Sequence, residues 1–255
     1  LKKKQKKLMK HMKYYYFKNH QELLHYLSIF NPDLIIDHYS QYFSKSIYKN
    51  NIYQHITIHL IHSAIHYDTD IDFLIELFAL LETQQCIDPD RLYLMGGSNG
   101  GNLVWDVARA PNLSQRLAAV ASWIGLPHQS YLTPAKAAVL PPVLLITGTK
   151  DTTDPPGGWD DFNVTTTSNQ TDRYFYESAS ATIRAWSAAA GCPVGAVAQP
   201  VIAPAPFDCR AYCPGARQDV PALDCRLEMG HEYREDDAWP LTLDFFLSRQ
   251  RARGP

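Results

Sequence analysis

The chain has 255 residues, 45% hydrophobic and 20% charged, with a formal net charge of -2. That length can enclose a substantial core. No apolar run reaches the roughly 18 residues of a membrane span, which excludes a membrane-spanning protein, and the mixed composition excludes a coiled coil or a disordered tail.

The near-neutral balance is the sum of two unlike segments. All 13 glycines lie at or after Gly96, ten of the twelve lysines lie between Lys2 and Lys49, and all twelve arginines lie at or after Arg91. Residues 1–68 hold ten lysines against Glu22, Asp33, Asp37 and Asp68, a net +6, while the remainder holds 14 basic and 22 acidic residues, a net -8. The Lys-rich start, Lys2 to Lys13, reads as a solvated tail in preference to a nucleic-acid or lipid-steering patch. It lacks the apolar core and small-residue cleavage site of a secretory signal. The Lys/Asn/Tyr/Ile vocabulary beside an Arg/Ala/Pro/Gly one reads as two coding compositions joined, because a globular segment of this length normally needs glycine at its turns. The expected organisation is an atypical segment over 1–68 and a catalytic domain over 69–255.

Within the first segment, His55, His59, His62 and His66 would share one face of a helix, a spacing suited to a zinc site. Ile56, Ile58 and Leu60 alternate instead as a strand would, which sends His59 and His62 to opposite faces, and no carboxylate stands among them as a base. The sequence therefore implies no metal. Asp33 to Asp37 and Ile52 to Ile61 are the candidate early strands.

From Asp70 the pattern becomes regular. Ile71, Leu74, Ile75, Leu77, Phe78 and Leu81 form a helical stripe. Cys86 to Asp90 break it, and Leu92 to Met95 read as a buried strand. That strand runs into Gly96, Gly97, Ser98, Asn99 and Gly100, and a helix resumes from Asn102 to Ala110. A serine at a sharp strand-to-helix turn, flanked by glycines that let the two elements approach, is the nucleophile-elbow pattern G-x-S-x-G. The backbone N–H of Asn99, at the helix N-terminus, is then aimed at a developing oxyanion.

Such a serine needs a base, and the base needs an orienting carboxylate. Val143 to Ile146 read as a second buried strand, ending at Thr147-Gly-Thr-Lys-Asp151. An acid just past the carboxyl end of a parallel strand lies on the same rim as the elbow. Asp154 is the rival for that role. Cys225 to Leu227 lead into Glu228-Met-Gly-His231, followed by a last helix over Ala238 to Leu247. His128 is the only other histidine after His66, so His231 is the expected base. Ser98, Asp151 and His231 also follow the chain order of α/β hydrolases. A phosphate-binding loop does not fit, since neither the P-loop Lys nor G-x-G-x-x-G is matched.

The stretch Ile87-Asp-Pro-Asp-Arg-Leu-Tyr-Leu-Met-Gly-Gly-Ser-Asn-Gly-Gly101, with Leu117-Ala-Ala-Val-Ala121, Thr147-Gly-Thr-Lys-Asp151, Gly157-Gly158 and Met229-Gly-His231, resembles the polyhydroxybutyrate depolymerase and feruloyl esterase family of α/β hydrolases. Trp186, Gly191 and Cys192 resemble a later stretch of that family, and Trp239 with Phe245-Phe246 resembles its final helix. The resemblance covers about Asp70 to Gln250. It implies a mostly parallel sheet flanked by helices, with Ser98 as nucleophile, His231 as general base and Asp151 as orienter. It implies a serine esterase acting on polyhydroxyalkanoate, feruloyl or related esters, with no cofactor. Prolyl-oligopeptidase-type peptidases share Gly-Gly-Ser-Asn-Gly-Gly, but 53 positions separate Ser98 from Asp151 and 80 separate Asp151 from His231, an acid nearer the serine than in that group. The family's His-Gly loop, which completes the oxyanion hole, has no match, because no glycine precedes Gly96. An impaired, binding-only hydrolase fold is the alternative this departure leaves.

Trp159, after Asp151, and Trp239, after His231, are the expected lining of an acyl or aryl pocket. Cys192, Cys209, Cys213 and Cys225 suit two disulfides in any of three pairings, which points to an extracellular or periplasmic setting.

Overall fold

The computed structural model describes residues 35–38, 56–61, 67–84, 88–129, 139–166, 174–193, 195–213 and 221–251. In chain order the elements are β1 (Ile35–His38), β2 (Ile56–Ile61), α1 (Tyr67–Gln84), β3 (Leu92–Gly97), α2 (Asn99–Arg109), a single turn α3 (Pro111–Ser114), β4 (Ala119–Trp123) and β5 (Val143–Gly148). There follow β6 (Val164–Thr166), β7 (Phe175–Glu177), α4 (Ala179–Ala189), β8 (Gln199–Val201), β9 (Asp208–Ala211), β10 (Ala222–Leu227) and α5 (Glu235–Leu247).

Eight strands make one sheet in the order β1-β2-β3-β4-β5-β10-β9-β8. The first six pair in parallel, and β9 and β8 add an antiparallel edge. Strands β6 and β7 form a separate antiparallel pair. This is the expected α/β architecture. Strands β3, β4, β5 and β10 are buried along their whole length, which is why they read as continuous apolar runs rather than alternating ones.

Alternate residues of these strands enter two cores. Leu92, Leu94, Val120, Val143, Leu145 and Ala222 join Leu74, Leu77 and Phe78 of α1, Leu103, Val104 and Val107 of α2, and Ile183 and Trp186 of α4. Tyr93, Met95, Ala119, Ala121, Leu144, Ile146 and Leu223 join Ala238, Leu241, Phe245 and Phe246 of α5. Helices thus cover both faces of the sheet. Of the stripe expected in α1, Leu74, Leu77 and Phe78 pack inward, with Ile71 and Ile75 at the margin. Helix α2 begins at Asn99, three residues before the apolar periodicity suggests, because the elbow feeds directly into its first turn.

Both early strands lie within the lysine-rich segment, and β2 is the parallel neighbour of the elbow strand, with Ile61 opposite Gly97. The strand reading of Ile56 to Ile61 fits; His59 lies in β2, whereas His55, His62 and His66 lie outside the described residues. Among the described residues, no helix is long and apolar enough to cross a membrane, and no cluster of His, Cys, Asp and Glu is placed to hold a metal ion.

Two disulfides, Cys192–Cys213 and Cys209–Cys225, select one of the three pairings. Cys209 and Cys225 are direct cross-strand partners on β9 and β10, so this bond ties the antiparallel edge to the parallel sheet. Cys86 lies outside the described residues.

Candidate active site

Parallel strands deliver their carboxyl ends to one rim, and three loops from that rim meet. The first is the elbow between β3 and α2. Ser98 has φ 53° and ψ -124°, a backbone region that costs a non-glycine residue about 1–3 kcal/mol. It is held there from both sides: the Ser98 N–H donates to the Trp123 carbonyl at 2.9 Å, and the Asn102 N–H donates to the Ser98 carbonyl at 2.9 Å. The turn closes only because its neighbours lack side chains. A Cβ on Gly96 would lie 2.2 Å from the Gly100 carbonyl oxygen, and one on Gly125 would lie 2.5 Å from the Ser98 carbonyl oxygen.

A serine before a helix normally spends its hydroxyl on capping backbone N–H groups. Ser98 makes no such bond. Its Oγ instead lies 2.8 Å from His231 Nε2.

The second and third loops follow β5 and β10 and are zipped together. Thr149 N–H donates to the Leu227 carbonyl at 3.0 Å and Lys150 N–H to the Met229 carbonyl at 2.9 Å. Gly148 permits this contact, since a Cβ there would lie 2.4 Å from the Met229 carbonyl oxygen. The pairing carries Asp151 to His231, and Nδ1 meets Asp151 Oδ2 at 2.8 Å. The other carboxylate oxygen accepts the N–H groups of Thr153 at 2.8 Å and Asp154 at 3.0 Å, so the acid is fixed in orientation. An ionised carboxylate only accepts, which places the imidazole proton on Nδ1 and leaves Nε2 to accept from the serine hydroxyl.

Burial works against a charged His231, but the hydrogen bond and charge of Asp151, followed by the charge of Asp154, outweigh it and raise the imidazole above its ordinary value. A raised histidine pKa makes it a stronger base toward the serine proton.

Asp154 is not the partner of His231 Nδ1. It is buried, accepts from Asn102 Nδ2 at 3.3 Å and is hydrogen-bonded by Tyr176. Burial pushes its carboxyl up to about 7, against the pull of the His231 charge and of the Tyr176 and Asn102 hydrogen bonds. The site therefore holds two acids with separated tasks: one oriented on the imidazole, the other enclosed behind it.

Asn99 opens α2, and the first N–H groups of a helix have no carbonyl one turn earlier to bond. Its N–H adjoins the nucleophile candidate as the elbow pattern requires. The loop after β2, residues 62–66, leaves the sheet on the elbow rim and lies outside the described residues.

The two tryptophans part company. Trp239 packs edge-on against Trp123 at 6.0 Å, and Trp123 is the residue whose carbonyl holds the Ser98 N–H. Trp159 is instead covered by two guanidinium groups, Arg226 at 3.9 Å and Arg210 at 4.1 Å from its ring centroid. Arg226 is itself buried, forked onto Asp224 with its closest contact at 2.8 Å, and bonded to the Gly157 carbonyl at 2.7 Å. This network, which pins the loop after Asp151 to β10, escaped the sequence reading; two charges inside the apolar run Ala222-Leu-Asp-Cys-Arg-Leu227 were its signal. A further residue was missed altogether: Tyr233, whose ring lies over Gly97.

No family model matches the chain, and no curated protein matches it by sequence. Among solved structures, an acetyl xylan esterase from Aspergillus awamori is similar at a TM-score of 0.48 and 12% identity, over 70% of this chain and 67% of that one. At that level the likeness bears on neither substrate nor mechanism.

Proposed function

We propose that the chain is a serine carboxylester hydrolase that works through an acyl-enzyme. The observation that carries this reading is the unbroken relay Ser98 Oγ, His231, Asp151, with both contacts at 2.8 Å, mounted on a strained strand-to-helix turn. In the proposed cycle His231 Nε2 takes the Ser98 proton as Oγ attacks the ester carbonyl carbon. The carbonyl oxygen becomes an oxyanion facing the Asn99 N–H. The tetrahedral adduct collapses, the carbon–alkoxide bond breaks, and the proton on Nε2 passes to the departing alcohol. Water, deprotonated by the same nitrogen, then attacks the acyl-serine and returns Ser98 and the carboxylic acid. Asp151 keeps the proton on Nδ1 and stabilises the imidazolium that forms in each half.

The resemblance around Ser98 favours polyhydroxyalkanoate, feruloyl or related esters as substrates. The two disulfides favour an extracellular or periplasmic setting. The test is direct: a fluorophosphonate probe labels Ser98 in the intact protein, and Ser98→Ala removes both labelling and p-nitrophenyl ester turnover. Folded wild-type protein that resists the probe and turns over no ester would make this a binding protein on a hydrolase fold.

A further inference from the structure

The relay leaves open what recognises the two halves of an ester, and the loop that carries His231 bears on one of them. Tyr233 stands two residues after His231, between β10 and α5. A Cβ on Gly97 would lie 2.1 Å from Tyr233 Cε1 and 2.6 Å from its hydroxyl oxygen. The phenol thus occupies the space that a side chain immediately before Ser98 would fill. The residue is nevertheless 40% exposed, in the loop that carries His231.

Acyl transfer divides the rim where Ser98 and His231 meet. The oxyanion must face the N-terminus of α2, at the Asn99 N–H. The leaving oxygen must come within hydrogen-bond reach of His231 Nε2, which returns the proton to it. A group that touches the residue preceding the serine and belongs to the histidine loop therefore borders the alcohol half. Its loop neighbours Glu232 and Arg234 are exposed, and Arg234 is engaged by Asp237 at 2.6 Å. Tyr233 is the aromatic surface this loop offers, and aromatic faces favour flat or ring-bearing partners over small aliphatic ones.

We propose that Tyr233 is a specificity-determining residue for the alcohol portion of the ester, selecting alcohols that carry a ring. The inference rests on the esterase reading above and names which half of the substrate one residue reads.

The test uses the full chain and two acetate esters, benzyl and ethyl, with benzyl butyrate as the acyl-side control. The expected result is that Tyr233→Ala lowers kcat/KM for benzyl acetate about tenfold more than for ethyl acetate, the scale of one aromatic contact. The benzyl acetate to benzyl butyrate ratio stays as in the wild type, and Tyr233→Phe keeps the ring preference. Fluorophosphonate labelling of each variant reports that the elbow is intact, and Tyr233→Leu replaces the alanine variant if the latter does not fold. An equal loss on benzyl and ethyl acetate would make the ring a packing element and overturn the proposal. A wild-type protein that resists the probe and hydrolyses none of the three esters overturns the esterase reading itself, and this inference with it.

Discussion

Asp154→Asn isolates the enclosed acid behind His231. Asp154 is 2% exposed and its carboxyl ionises at about 7, against 3.8 for an ordinary aspartate. Between those values the unfolded chain has lost a proton that the folded chain retains, so folding binds a proton and stability falls as pH rises. Below pH 4 neither state pays for the charge; above pH 7 the folded state carries the whole cost. About three pH units at 1.36 kcal/mol per unit set the loss at about 4 kcal/mol. Asparagine has the same shape, cannot ionise, and still accepts a hydrogen bond from the Asn102 and Tyr176 side. Urea unfolding of the oxidised proteins at pH 5 and pH 8 measures the effect. Because the unfolded carboxyl has already ionised at pH 5, the variant should lead by about 2 kcal/mol there, and by about 4 kcal/mol at pH 8. Asp106, whose burial pushes its carboxyl up to about 6 despite Arg109, titrates in both proteins and cancels in the difference. A gap that is equal at the two pH values, or a variant no more stable at pH 8, would refute the reasoning.

Asp151→Asn should lower kcat/KM for p-nitrophenyl esters by about 10³–10⁴ by analogy with the serine-protease triad, because an amide cannot hold the imidazole in the required tautomer. In the wild type kcat/KM should rise with pH as His231 loses its proton, with a midpoint above the ordinary imidazole value of 6.5. Removing the Asp151 charge should move that midpoint down in a pH–rate profile; an unmoved midpoint would detach Asp151 from the base. Arg226→Met should cost about 3–5 kcal/mol in urea unfolding, since it leaves Asp224 buried without its cation, and Arg226→Met with Asp224→Leu should recover most of the loss. A single variant within 1 kcal/mol of wild type would show that the pair is not needed to hold the loop after Asp151.

The legible parts of the molecule are those whose cause is local. The strands at Leu92, Val143 and Ala222 announce themselves because burial on both faces leaves no room for polar alternation. Ser98 is legible because a strained turn needs small neighbours, and Gly96, Gly97 and Gly100 supply them. Asp151 and His231 are legible as residues just past strand ends. The choice between Asp151 and Asp154, three residues apart, is not, because it depends on how the loops after β5 and β10 pair through Lys150 and Met229. Trp159 looks like a pocket residue in sequence, yet its ring is stacked with Arg210 and Arg226 from two other strands. The antiparallel edge of β8 and β9 escaped notice because its strands are short and half exposed, and a disulfide to β10 helps anchor it.

Sequence by itself determined the α/β class and pointed to the elbow serine, to His231 and to the Asp151/Asp154 loop, since each rests on residue types within a few positions of one another. Tertiary structure decided which acid meets the imidazole, which of the possible disulfides form, and that a tyrosine fills the side-chain space missing at Gly97. Those outcomes depend on distances between loops far apart in the chain, and such distances are set by strand order and register, which no local pattern of residues encodes.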